Sequence, residues 1–177
     1  MGLRDRIQER REGGDEPGAS HYQMREKMFS IGDDYWIEDG TGQRVIKVDG
    51  KALRVRDTLV LEDASGNELY TVQEKEVRVR DTMEVERNGD TAATIKKALV
   101  SPVHDRFSID VNGGSDLEAK GNIVDHEYTI ERDGDQIAEV SKRWFRVRDT
   151  YGIEIDSGQD VGLILAITVC IDRMTHD

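Results

Sequence analysis

The end of the chain dictates how the rest must be arranged. Residues 161–171 read Val-Gly-Leu-Ile-Leu-Ala-Ile-Thr-Val-Cys-Ile, apolar or small throughout apart from Thr168. No polar face recurs at helical period, and a helix that is apolar all round must be buried all round. At about 1.5 Å per residue the run spans roughly 16 Å, against about 30 Å for the hydrocarbon of a bilayer. Asp160 and Asp172 close it at either end. The stretch therefore reads as a helix over about 159–175, enclosed in protein rather than lipid, with Leu163, Ile164, Ile167 and Ile171 expected to be inaccessible. Ser157 is read as its N-cap and Asp160 as the third helical position of a capping box. Asp160 then faces the positive end of the helix dipole, and Arg173 and His176 the negative end.

What encloses the helix must come from upstream. From Tyr22 onward, short alternating segments are punctuated by turn residues about every 8–12 positions, the pattern of an all-β domain. The turn signals are Asp39-Gly40-Thr41-Gly42, Asp49-Gly50, Ser65-Gly66-Asn67, Asn88-Gly89-Asp90, Asn112-Gly113-Gly114, Gly121-Asn122, Asp133-Gly134 and Ser157-Gly158. Asn-Gly and Asp-Gly suit tight hairpins because both central residues tolerate positive φ. Strands are expected at about 22–30, 34–39, 44–49, 58–63, 68–75, 78–87, 91–98, 106–111, 116–123, 127–132, 136–145 and 150–155. Short connections imply antiparallel neighbours, and closing so many strands removes exposed edges and leaves room for a helix. The expected fold is thus all-β with one helix: a closed antiparallel barrel of about 12 strands around the C-terminal helix. Residues 1–20 are polar and read as a flexible tail, and 21–177 as a single domain.

Charge narrows the partners. The chain carries a net charge of -12, with 37 acidic residues against 25 basic, and arginine outnumbers lysine. Such a balance resembles the proteins of salt-loving archaea and argues against nucleic acid, which selects a basic footprint. The lone cysteine, Cys170, falls inside the helix and reads as an inert core thiol. The expected location is the cytoplasm, with peripheral association at a membrane as an extension and no transmembrane span.

One short repeat recurs without change. Arg-Val-Arg-Asp-Thr occupies 54–58, 78–82 and 146–150, each copy followed by an alternating strand. In extended chain the two arginines of a copy face one way and the valine the other. The repeat reads as a strand junction in which Asp57, Asp81 and Asp149 accept bonds from nearby backbone or arginine. The alternative is that Arg54, Arg56, Arg78, Arg80, Arg146 and Arg148 form pairs that grip phosphate.

Several of these residues also carry a family resemblance. Asp34-Tyr35-Trp36-Ile37-Glu38-Asp39 and Leu61-Glu62-Asp63-Ala64-Ser65-Gly66-Asn67-Glu68-Leu69 resemble the opening motifs of the LURP-one-related family. Ser141-Lys142-Arg143-Trp144-Phe145 and Asp149-Thr150-Tyr151-Gly152-Ile153-Glu154 resemble its late hairpin, and Asp160 to Asp172 its terminal helix. The resemblance covers roughly 22–175 and implies a barrel of about twelve strands around an apolar helix, a fold shared with the Tubby C-terminal domain. It implies little chemistry; Tubby domains bind phosphoinositide headgroups through basic residues, and that link rests on fold analogy.

The chain contains no glycine-rich phosphate loop, no His-Glu-x-x-His, no Gly-x-Ser-x-Gly and no Cys-x-x-Cys. Asp125-His126-Glu127 reads as a solvated turn rather than a metal site, and Asp110 to Asp116 as a loop with calcium-like oxygen spacing but an incomplete pattern. Trp144 and Phe145, if both lie in a strand, point to opposite faces, one toward the core and one toward solvent. The expectation is a binding or scaffold module without catalytic residue, cofactor or metal. Its partner would be a phospholipid headgroup or a protein, with a scramblase-like membrane protein or a fold-assembled enzyme as alternatives.

Overall fold

The computed structural model describes residues 18–25, 34–50, 58–75, 82–98, 105–144 and 150–176. Twelve strands follow one another in order: β1 (Ser20–Arg25), β2 (Tyr35–Asp39), β3 (Arg44–Gly50), β4 (Thr58–Asp63), β5 (Glu68–Glu74), β6 (Thr82–Arg87), β7 (Asp90–Lys97), β8 (Asp105–Val111), β9 (Leu117–Asn122), β10 (Glu127–Arg132), β11 (Asp135–Ser141) and β12 (Thr150–Ile155). Each pairs antiparallel with its sequence neighbours, and β1 closes the ring by pairing with both β2 and β12. The last element, α1 (Val161–His176), fills the lumen.

Alternation explains the barrel wall. Ile37, Val48, Leu61, Val72, Val85, Ile95, Ile109, Ala119, Ile130, Val140 and Ile153 come from successive strands, share one core and are fully buried. Two tight turns are Asn88-Gly89 (φ 55° and 83°) and Asp133-Gly134 (φ 52° and 88°), both with the positive φ their composition invites. Two wider turns are held by an aspartate. Asp39 Oδ1 accepts from the Thr41 hydroxyl and from the Thr41 and Gln43 amides; Asp63 accepts from Ser65, from the Asn67 amide and from its side chain. The hydroxyl of Thr41 and the side-chain amide of Asn67 are the chief reason these carboxyls lie below the usual carboxylate range. Four hairpins share a device the sequence reading missed. Register shifts follow Ile37, Leu61, Val85 and Ile130, each an apolar residue directly before a glutamate. Each shift places an extra residue, Val45, Leu69, Ala92 or Ile137, on the partner strand, and such bulges sharpen the twist that lets a sheet close.

Two turn readings need correction. Asp49-Gly50 ends β3, with Gly50 opposite Leu59, and Gly121-Asn122 belongs to β9, the turn itself being Ile123 to His126. Gly121 is there for close approach: a Cβ would meet the Glu127 carbonyl oxygen at 2.6 Å and Tyr128 Cα at 2.7 Å. The strand read over 136–145 stops at Ser141, so Trp144 lies beyond it at 42% exposure; Phe145 is outside the described residues.

The helix is enclosed as its composition requires. Every residue from Ile164 to Arg173 is buried. Leu163 is an exception to expectation, because it sits in the first turn at the barrel mouth and is only half-buried. Thr168 within this run bonds locally, its Oγ1 donating to the Ile164 carbonyl at 2.9 Å. Burial pushes the Cys170 thiol far above its ordinary value, in keeping with an inert core thiol. The N-cap is Asp160 rather than Ser157. Its Oδ1 accepts from the Leu163 amide at 3.1 Å and from the Tyr70 hydroxyl, and its Oδ2 meets the Arg87 guanidinium at 2.9 Å. Asp160→Ala is expected to cost about 1–2 kcal/mol, the usual range for a lost cap, and Asp160→Asn much less. Thermal melts of the two variants check this; equal losses would assign the effect to charge rather than to the cap.

Candidate functional site

The chain direction sorts the barrel into two rims. The hairpin turns after β2, β4, β6, β8 and β10 lie at the rim where α1 begins. The helix then runs back through the lumen, so its last turns reach the opposite rim, where β2, β4, β6, β8, β10 and β12 start. Polar side chains converge beneath that far rim. Asp172, on the helix and 1% exposed, has Oδ1 3.1 Å from His126 Nε2, and its Oδ2 accepts the Tyr151 hydroxyl. The His126 and Tyr151 rings stack at 4.2 Å with 24° between planes. Tyr35 and Tyr128 complete the cluster from β2 and β10, and Met24 Sδ lies 3.7 Å from the Tyr151 oxygen.

The electrostatics follow from burial. The hydroxyls of Tyr35, Tyr128 and Tyr151 are held well above the ordinary tyrosine value, first by desolvation and then by the Asp172 carboxylate. Arg173 on the helix partly offsets this at Tyr35, and the Thr168 hydroxyl does so at Tyr128.

His126 overturns the reading of Asp125-His126-Glu127 as a solvated turn. The turn exists, closed by the His126 amide on the Ile123 carbonyl at 3.0 Å, but the imidazole is fully buried. Its φ of 53° lies in the left-handed region, where a non-glycine residue carries strain, and that conformation accompanies a ring inside the barrel. Asp125 stays outside, bound by the Asn122 side chain at 2.6 Å. Glu127 ties strands together, accepting from Ser141 Oγ, the Lys142 amide and Arg143 Nε at 3.0–3.3 Å. As a general base His126 would need a substrate within hydrogen-bond reach. With no exposed atom on the imidazole, the His126–Asp172–Tyr151 set acts instead as a latch between the helix's last turns and the barrel wall.

The other sequence candidates resolve differently. Arg54, Arg56, Arg78, Arg80, Arg146 and Arg148, and the aspartates Asp57, Asp81 and Asp149, lie outside the described residues. The calcium-like loop spends its oxygens elsewhere: Asp110 pairs with Lys96 at 2.6 Å and Asp116 accepts the Val111 amide. Among the described residues no group of three acidic, histidine or cysteine side chains is placed to hold a metal. Cations on the barrel wall are matched across strands, with Lys96–Asp110 at 2.6 Å, Arg106–Glu118 at 2.7 Å and Lys120–Glu131 at 2.6 Å. No helix of the described residues is long and apolar enough to cross a membrane.

A closed twelve-stranded antiparallel barrel filled by its own C-terminal helix defines the structural class. The chain belongs to the LURP-one-related family, which matches residues 20–172. It is 28% identical over 155 residues to the uncharacterized protein YxjI of Bacillus subtilis strain 168, covering 87% of this chain and 93% of that one. A protein of Arabidopsis thaliana solved by X-ray crystallography is similar in fold, with a TM-score of 0.69 at 18% identity over 90% of this chain and 93% of that one.

Proposed function

We propose that the protein is a non-catalytic binding module whose ligand is an anionic phospholipid headgroup, met at the far rim. The observation that carries this reading is the filled lumen: α1 and the inward side chains occupy it, so a partner is met from outside. The wall is a poor anion site because the cations named above already face carboxylates. Support for the far rim comes from Thr58, Thr82 and Thr150. Each closes one copy of the Arg-Val-Arg-Asp-Thr repeat, and each is the first residue of a strand that starts at this rim. Arg54, Arg56, Arg78, Arg80, Arg146 and Arg148 precede those starts by two to four residues and are proposed as the headgroup ligands. Flotation with phosphatidylglycerol and phosphoinositide vesicles tests this. Arg54→Gln, Arg78→Gln and Arg146→Gln are expected to weaken binding with little change in melting temperature. Absence of binding to any anionic vesicle would favour a protein partner.

A second reading of the repeat has its own observation. Thr58, Thr82 and Thr150 are similarly buried, at 3%, 7% and 8%, as a repeated structural junction would have them. Under that reading Asp57→Asn, Asp81→Asn and Asp149→Asn each lower stability by about 1–3 kcal/mol and leave vesicle binding unchanged. Under the headgroup reading the same variants release arginines and tighten binding.

The acidic surface is proposed to suit concentrated salt. Repulsion at a net charge of -12 is screened as ionic strength rises. Melting temperature is expected to climb between about 0.1 and 1 M KCl, where the Debye length falls from about 10 to 3 Å. A flat profile would remove charge repulsion as a determinant of stability.

A further inference from the structure

The far rim carries a second feature, independent of the repeat. Among the described residues the exposed large hydrophobic side chains are Val124, at 53%, and Trp144, at 42%. They are twenty residues apart in sequence, yet both sit at this rim, on neighbouring strand ends. Val124 is on the turn that joins β9 to β10, and Trp144 follows β11, which pairs with β10 through Glu127 opposite Ser141.

Both residues are held outward by structure around them. On the turn, Ile123 and His126 are fully buried, and the Asn122 side chain bonds Asp125. Val124 is therefore carried outward by a turn anchored from inside on both sides. After β11, the Glu127 carboxylate grips the Lys142 amide and Arg143 Nε, and the Arg143 amide donates to Ser141 Oγ at 3.2 Å. Trp144 thus leaves a fixed point. Among the described residues Trp144 is not part of the barrel core.

The surrounding charge identifies the occupant. Lys142 and Arg143 directly precede Trp144, and the sequence from 142 to 148 carries no acidic residue in a chain whose net charge is -12. The Arg143 side chain is 67% exposed. Tryptophan concentrates at membrane interfaces because its indole is apolar with one polar edge, and basic residues beside it are drawn to anionic leaflets.

We infer that Val124 and Trp144 form an interfacial anchor that inserts into the headgroup region of an anionic phospholipid membrane, with Lys142 and with Arg143, which exchanges its Glu127 partner, on the adjoining lipid phosphates. This inference rests on the headgroup reading above but names different residues and a different physical term: partition of apolar surface in place of ion pairing. Asp125 on the same turn opposes approach to an anionic surface, a charge shared in part with the Asn122 side-chain amide that donates to it.

Tryptophan emission tests the anchor directly. The chain has two tryptophans, and the other, Trp36, lies on β2 beneath the Arg44 guanidinium, 5.6 Å from its ring centroid. In a Trp36→Phe background Trp144 is the sole indole. Vesicles of phosphatidylcholine mixed with phosphatidylglycerol are expected to shift its emission to the blue and protect it from acrylamide. Trp144→Ala is expected to weaken flotation about tenfold or more, and Lys142→Glu to weaken it selectively at low salt. Trp144 lies outside the described core and is 42% exposed, so its truncation is expected to shift the melt little, and the melt separates lost binding from lost fold. Vesicle binding with unshifted Trp144 emission and full affinity in Trp144→Ala would overturn the anchor and leave the headgroup reading standing. Binding to neither anionic nor neutral vesicles would overturn both. Equal insertion into pure phosphatidylcholine would overturn the role given to the basic residues.

Discussion

Ile167→Asp is expected to unfold the protein. Ile167 sits midway along α1 with no exposed surface, and the residues on both sides of it are equally enclosed. Removing a buried isoleucine side chain costs about 2–5 kcal/mol, and placing an unbonded carboxyl there adds about 2–7 kcal/mol even if it stays protonated. The sum rivals the entire stability of an ordinary domain, about 5–15 kcal/mol. Leu163→Asp is the internal control. It lies one turn earlier on the same side of the helix but is only half-buried, so its cost is expected to be several-fold smaller. Cys170 reports the outcome chemically: sealed in the same helix with its thiol held protonated, it resists alkylation while the helix is enclosed. A folded Ile167→Asp protein would contradict an enclosed helix, as would ready alkylation of Cys170 in the folded native chain.

The second large effect is loss of stability in alkali. Tyr35, Tyr128 and Tyr151 hold their protons more tightly in the folded chain than at the ordinary value of 10.0, because burial and the Asp172 carboxylate disfavour a phenolate. Below pH 10 these groups are protonated in both states, and their contribution is intact. Above it the unfolded chain releases protons the folded chain retains, so each tyrosine removes about 1.4 kcal/mol per pH unit. Three together remove about 4 kcal/mol per unit, enough to unfold a domain within two or three units. Tyrosinate absorbance and circular dichroism followed together are expected to show these three ionising only as the fold is lost. Stepwise ionisation with the dichroism preserved would place them in a wetter setting. Tyr151→Phe keeps the ring stack on His126 but deprives Asp172 Oδ2 of a donor, and is expected to destabilise at neutral pH as well.

The barrel and its central helix were legible in the sequence because each rests on local pattern. Alternation assigns a face to every second residue, Asn88-Gly89 and Asp133-Gly134 accept the φ values a tight hairpin demands, and an all-apolar helix excludes solvent on every side. The bulges were not legible in the same way: an apolar residue precedes glutamate at 37, 61, 85 and 130, where register shifts, but also at 83, 117 and 153, where it does not. The latch lay further from reach. His126 and Asp172 are far apart in the chain, and turn composition suggested water around His126. One signal pointed inward: His126 shares the parity of Tyr128 and Ile130, which line the lumen. Whether a turn residue keeps that parity depends on φ, which at His126 is 53°. The tertiary structure alone decided which carboxylates neutralise which cations, since Lys96, Arg106 and Lys120 meet partners set by register between strands. Local sequence sets which face is apolar; only closure of the ring sets which residues from distant strands share one buried charge.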